Sequence, residues 1–88
     1  RKPVRLDEVV ASAVDAVAMI AQAKHIQVES TIDSSTKPIL GDSSRMEQVV
    51  WNLLTNSVKF TPSGGKVSVS LAPFGRNGVE IRVSDSGQ

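Results

Sequence analysis

Two hydrophobic periods alternate along this chain, one of three to four residues and one of two, and the switches between them mark its elements. Leu6, Val9, Val10, Ala13, Val14, Val17, Ile20 and Ala21 keep helical spacing, with Glu8, Ser12, Asp15 and Gln22 on the other side. That predicts an amphipathic helix packed on a sheet, with Asp7 as its N-cap. Before it, KPVRL (2–6) reads as a short extended lead-in, because Pro3 pushes its predecessor out of the helical region. After it, Ile26, Val28, Ser30 and Ile32 alternate with Gln27, Glu29 and Thr31, the pattern of a half-buried strand. Residues 33–37 form a polar loop, and 38–40 a short strand that Pro38 confines to an edge.

The stretch 41–67, GDSSRMEQVVWNLLTNSVKFTPSGGKV, carries a second helix. Asp42 can cap it by accepting a first-turn N–H, and the helix runs to about Lys59. Met46, Val49, Val50, Leu53 and Leu54 fall on one broad apolar face that Trp51 and Val58 extend, so most of the helix is expected to be buried, with Trp51 a core residue. What remains polar is a narrow stripe of Arg45, Gln48, Asn52, Asn56 and Lys59. Two asparagines one turn apart are not explained by helix propensity. The stripe faces either water or a ligand.

Past a turn at 61–66, Val67, Val69 and Leu71 alternate with Ser68 and Ser70, and Val79, Ile81 and Val83 with Glu80, Arg82 and Ser84. With a turn at 73–78 between them these form a hairpin. The order helix, strand, strand, helix, strand, strand predicts a two-layer α/β (α+β) sandwich: a mixed, mostly antiparallel sheet with both helices on one face.

Composition narrows the function little. Eighty-eight residues is one small domain or a piece of one, and the missing initiator Met and abrupt end suggest a piece of a longer protein. A net charge of +1 makes no electrostatic case for nucleic acid or an anionic membrane. The absence of cysteine rules out a disulfide framework and thiolate metal sites and fits a reducing compartment. No apolar run approaches the roughly 20 residues of a membrane span, and RKPVRLDE is not a signal peptide. His25, in AKHIQVE, reads as a surface or helix-terminal histidine.

RMEQVVWNLLTNSVKFTPSGG resembles the N box of sensor histidine kinases, whose Bergerat-type ATP-binding fold is shared with gyrase B, Hsp90 and MutL. The resemblance rests on Asn52, Asn56, Lys59, Phe60 and the Thr-Pro-x-Gly-Gly turn. At the end, VSDSGQ (83–88) resembles the family's G1 box, where a strand delivers an aspartate followed by small residues and glycine. On this resemblance, residues 1–88 are the first part of such a domain, ending within that box before the mobile lid, the final strands and the last helix. The acceptor histidine and its dimerisation helices are then also absent, and the piece alone is expected to lack kinase activity and to bind ATP weakly.

The chemistry suits ATP. Adenine presents an exocyclic amine to a carboxylate such as Asp85, where guanine presents a carbonyl, and Gly87 lets backbone and ring approach closely. Taken alone, Asp85-Ser86-Gly87 is also an ordinary turn. By resemblance Asn56 is the Mg²⁺ ligand, Asn52 lies near the phosphates and their waters, and Lys59 reaches phosphate oxygens. Arg45 and Gln48 are then solvated, and Phe60 packs rather than touching ligand. Where hydrolytic branches carry a glutamate base one turn before the Mg²⁺ asparagine, this chain has Asn52, and an amide cannot take a proton from water. The resemblance therefore implies phosphoryl transfer to a histidine on a separate dimerisation domain, and onward to a response regulator receiver domain, in a cytoplasmic part of a protein that could be membrane-anchored. Two other functions fit less well: a degenerate interaction module without nucleotide, and a gyrase- or MutL-type ATPase. Ending here also leaves the strand at 79–84 with an unpaired edge, so self-association is expected.

Overall fold

The structure, a computed structural model, describes residues 2–33 and 35–86. Its elements are β1 (Lys2–Val4), α1 (Leu6–Ala23), β2 (Gln27–Ile32), β3 (Ile39–Gly41), α2 (Ser43–Phe60), β4 (Lys66–Phe74) and β5 (Gly78–Asp85). The strands form two sheets rather than one. β2, β4 and β5 lie in that order, β2 parallel and β5 antiparallel to β4, while the lead-in becomes β1 and pairs antiparallel with β3.

Both helices pack on one face of the three-stranded sheet. Val67, Val69 and Leu71 of β4 point into that layer and meet Val10 and Val17 of α1 and Val50, Leu54 and Val58 of α2, all essentially fully buried. The opposite face carries Gln27, Glu29, Ser68, Ser70, Glu80 and Arg82, with a Lys66–Glu29 ion pair at 3.0 Å. Strand alternation thus sorts apolar residues to one side and polar ones to the other.

Several expectations are corrected. Asp7 does not cap α1. The helix starts two residues earlier, because Leu6 is buried in the core, and the Arg5 carbonyl accepts the Glu8 and Val9 N–H groups at 3.1 Å. Asp7 instead accepts from the Glu8 N–H and pairs with Arg5 at 3.0 Å, which holds its carboxyl below the usual value. Ile20 is 47% exposed, because its side of α1 turns from the sheet. Pro73 lies inside β4, opposite Val79, rather than in the turn. It costs no ladder bond: odd-numbered β4 residues bond toward β2, which ends opposite Leu71.

α2 departs most from expectation. Asp42 caps it as predicted, its Oδ1 accepting the Ser44 and Arg45 N–H groups at 3.0 and 3.4 Å. Yet only Val50, Leu54 and Val58 are buried; Val49 is 53% and Leu53 43% exposed, and Trp51 is half-buried at the core rim. The sheet and α1 cover one side of this helix, and among the described residues nothing packs against the side away from α1. Phe60, expected to pack, is 73% exposed for the same reason.

Candidate functional site

The C-terminal half of α2 and the end of β5 are held together by the turn between α2 and β4. Thr61 is the buried polar residue at the centre of that turn: its N–H and its hydroxyl both donate to the Ser57 carbonyl, at 3.1 and 2.6 Å, closing the last turn of α2. Gly64 adopts φ 90°, a left-handed conformation that glycine tolerates best. At Gly65 a Cβ would run into Thr61 Cγ2 and come within 3.0 Å of the Pro62 carbonyl oxygen. Two consecutive glycines therefore follow from two different constraints.

A second clamp comes from the end of α1. The Lys24 ammonium donates to the carbonyls of Val58 (2.9 Å) and Lys59 (2.7 Å), two of the groups a helix C-terminus leaves without intrahelical partners. His25 follows at φ 61° as the left-handed residue of a Schellman turn, with Ile26 N–H on the Ala21 carbonyl (2.8 Å) and His25 N–H on that of Gln22 (3.0 Å). Its own carbonyl accepts the Gly64 N–H at 2.9 Å, docking one turn on the other. His25 is thus the exposed, helix-terminal residue that the sequence suggested.

The β5 end is fixed in turn. Ser86 N–H donates to the Lys66 carbonyl at 3.0 Å, and Lys66 N–H donates to the Ser86 hydroxyl at 2.9 Å. Asp85 stands opposite Val67, which is wholly buried beneath the helices, so Asp85 shares the helix-covered face of the sheet at that end. Because α2 runs antiparallel to β4 and finishes at this same turn, its last residues and Asp85 lie at one end of the sandwich.

On α2, Asn52, Asn56 and Lys59 are all exposed. At about 100° per residue they follow one side of the helix, next to the uncovered Val49, Leu53 and Phe60. Among the described residues neither asparagine amide is taken up by an intramolecular hydrogen bond; Thr55 Oγ1 reaches the Asn52 backbone carbonyl instead. The Lys59 ammonium sits 5.5 Å from the Phe60 ring centroid. Arg45 and Gln48 are exposed, as expected. Gly87 lies outside the described residues.

The donor set limits the metal. Among the described residues no group of three or more His, Cys, Asp or Glu side chains could hold an ion. What Asn56 offers is one hard amide oxygen, which fits a cation that keeps its waters and takes its remaining ligands from phosphate, as Mg²⁺ does.

Residues 41–88, which span α2, β4 and β5, match the family described as histidine kinase-, DNA gyrase B-, and HSP90-like ATPase. The chain belongs to that family. Among curated relatives of this ATPase, it is 32% identical over 87 residues to the adaptive-response sensory kinase SasA of Synechococcus sp. (strain CC9311), covering 97% of this chain and 23% of SasA. Among solved structures, the mycobacterial sensor histidine kinase MprB superposes with a TM-score of 0.85 at 31% identity, over 98% of this chain and 55% of the other. Full-length ShkA in complex with AMPPNP superposes with a TM-score of 0.85 at 28% identity, over 98% of this chain and 18% of that one. The chain thus spans less than a quarter of the curated relative's length. No helix among the described residues is long and apolar enough to cross a membrane.

Lys24, Thr61 and Ser86 escaped sequence reasoning as organisers of this site. Thr61 stood in the motif, but only as part of a turn. Nothing local in the sequence links Lys24 to carbonyls 34 and 35 positions away.

Proposed function

We propose that this chain is the ATP-binding part of a two-component sensor histidine kinase. Asp85 accepts the adenine amine, Asn56 holds Mg²⁺, and Asn52 and Lys59 lie along the phosphates, with Gly87 giving the base room. The observation that carries this reading is that Asp85, on the helix-covered face of the sheet, and the exposed Asn52–Asn56–Lys59 stripe lie at the same end of the sandwich. The AMPPNP held by ShkA, a protein of the same fold, supports a nucleotide as the ligand.

The roles follow from side-chain chemistry. A carboxylate accepts hydrogen bonds only, so it welcomes the adenine amine and repels the guanine carbonyl. Bound Mg²⁺ offsets phosphate charge and fixes the phosphate geometry. Lys59 contributes a flexible cation toward the phosphate oxygens. Asn52 holds position without acting as a base, so water is not activated and the terminal phosphoryl group is kept for a histidine on the dimerisation domain, which in turn supplies a response regulator receiver domain. Residues 1–88 are the first part of that ATP-binding domain, in the cytoplasmic portion of the parent protein. The test is calorimetric titration of ATP and of GTP, each with Mg²⁺, into this chain and into the parent's complete ATP-binding domain. ATP preference in the complete domain is expected, with weak binding to the 88 residues alone.

A further inference from the structure

Both helices finish at the end of the sandwich that carries Asp85. α1 stops at Ala23 and α2 at Phe60, and the Gly64 N–H on the His25 carbonyl (2.9 Å) joins the two exits. β2 leaves α1 at Gln27, opposite Lys66, one position from the pair of Val67 with Asp85. The two helices, packed against each other, therefore run the same way and bring their C-termini together. Aligned peptide dipoles leave about half an elementary negative charge at each such end. Anions are held at helix N-termini for the converse reason, so a C-terminus is the wrong end to offer a polyphosphate. Two of them side by side present about one negative charge, and the Asp85 carboxylate adds to it. The field fades beyond the last turn, but Lys59, assigned above to the phosphates, belongs to that turn of α2.

Lys24 stands between these two helix ends. Its N–H meets the Ile20 and Ala21 carbonyls at 3.3 and 3.1 Å, closing α1, whose own last turn holds no basic residue. Its ammonium crosses to α2 and donates to the Val58 and Lys59 carbonyls at 2.9 and 2.7 Å. The residue is half-buried, and among the described residues no carboxylate pairs with it. Its positive charge is therefore spent on the helix ends and not on a neighbouring acid. We propose that Lys24 is a positioning residue for the polyphosphate: without touching nucleotide, it offsets the negative field of the two helix C-termini and fixes the backbone from which Lys59 reaches. This role rests on the nucleotide reading above, and it differs from the contribution of the same bonds to stability. A clamp that only holds the fold serves every ligand alike, whereas a field acts in proportion to the charge of the ligand.

Ligand charge makes the test. ATP, ADP and adenosine, each with Mg²⁺, are titrated into the parent's complete ATP-binding domain and its Lys24 variants, with binding followed by amide chemical shifts in NMR, which reach millimolar dissociation constants. Lys24→Met, its fold checked by circular dichroism, should weaken ATP binding about tenfold, ADP binding by a smaller factor and adenosine binding less than about twofold. Lys24→Arg keeps a cation that can donate to both carbonyls, and should bind ATP within about threefold of the original domain. Lys24→Gln, polar but neutral, should follow Lys24→Met, and it takes that variant's place in the comparison if the methionine variant does not fold. Equal losses for all three ligands would overturn the proposal while leaving the nucleotide reading standing. So would ATP binding that neither neutral variant weakens, or an arginine variant as weak as the neutral ones. Failure of ATP to bind the original domain would overturn the nucleotide reading itself, and this proposal with it.

Discussion

Replacing Lys24 by methionine should loosen the last turn of α2 while leaving every proposed nucleotide contact in place. The ammonium satisfies the Val58 and Lys59 carbonyls at 2.9 and 2.7 Å, and methionine keeps much of the stem's packing but not the donor. A hydrogen bond to a charged group contributes about 1.5–3 kcal/mol. Here two bonds share one ammonium, and the bond to Lys59 is exposed, so water replaces part of what is lost. About 1.5 kcal/mol is therefore expected, or a fall in melting temperature of about 6–12 °C for a domain of this size. Urea unfolding followed by circular dichroism measures it, with an unchanged m-value confirming that stability rather than compactness has moved. Lys59→Met is the matched control: its exposed ammonium contacts the Phe60 ring, an interaction of less than about 1 kcal/mol, while its proposed role is toward phosphate. Lys24→Met within about 0.3 kcal/mol of the original chain, or no more costly than Lys59→Met, would refute the clamp.

Three further outcomes follow from the same structure. His25→Gly should stabilise the chain by about 0.5–1 kcal/mol in urea unfolding, because relief of the left-handed strain at φ 61° outweighs the added freedom of the unfolded chain; a loss of stability would contradict the Schellman assignment. Leu54→Ala should cost about 2–5 kcal/mol and Leu53→Ala less than about 1, although they are neighbours in one motif, since the first is wholly buried and the second is 43% exposed. Asp7 and Asp33 have carboxyls lowered from 3.8, the first chiefly by the Arg5 hydrogen bond and the second by the Ser35 hydroxyl and N–H. Such groups contribute stability above their unfolded pKa and lose it as pH falls through the folded one, so the urea midpoint should drop below about pH 4, and less steeply in the Asp7→Asn, Asp33→Asn double variant.

How much of this was legible depends on whether the cause was local. The Asp42 cap, the hairpin and the inward Val67, Val69 and Leu71 follow from spacing alone, and spacing is local. The start of α1 was misplaced because burial of Leu6, a tertiary fact, outweighed the capping preference of Asp7. The apolar width of α2 was read correctly as composition and wrongly as burial: Val49, Leu53 and Phe60 have the spacing of a packed face, but no element among the described residues lies against it. Within the site, the asparagine stripe was visible because it interrupts an apolar pattern. The turn that positions it was only half visible. TPSGG announced a turn, but the Lys24 clamp, the buried Thr61 and the Ser86 bond join residues that only the fold brings together.

The measurement that bears most directly on the central claim is the ATP and GTP titration repeated with Asp85→Asn in the complete ATP-binding domain, with Mg²⁺ present. The account predicts ATP preference in the original domain and its loss in the variant, where an amide can donate to the guanine carbonyl as readily as it accepts from the adenine amine. ATP preference unchanged by Asp85→Asn, or no ATP binding by the original domain, would contradict it.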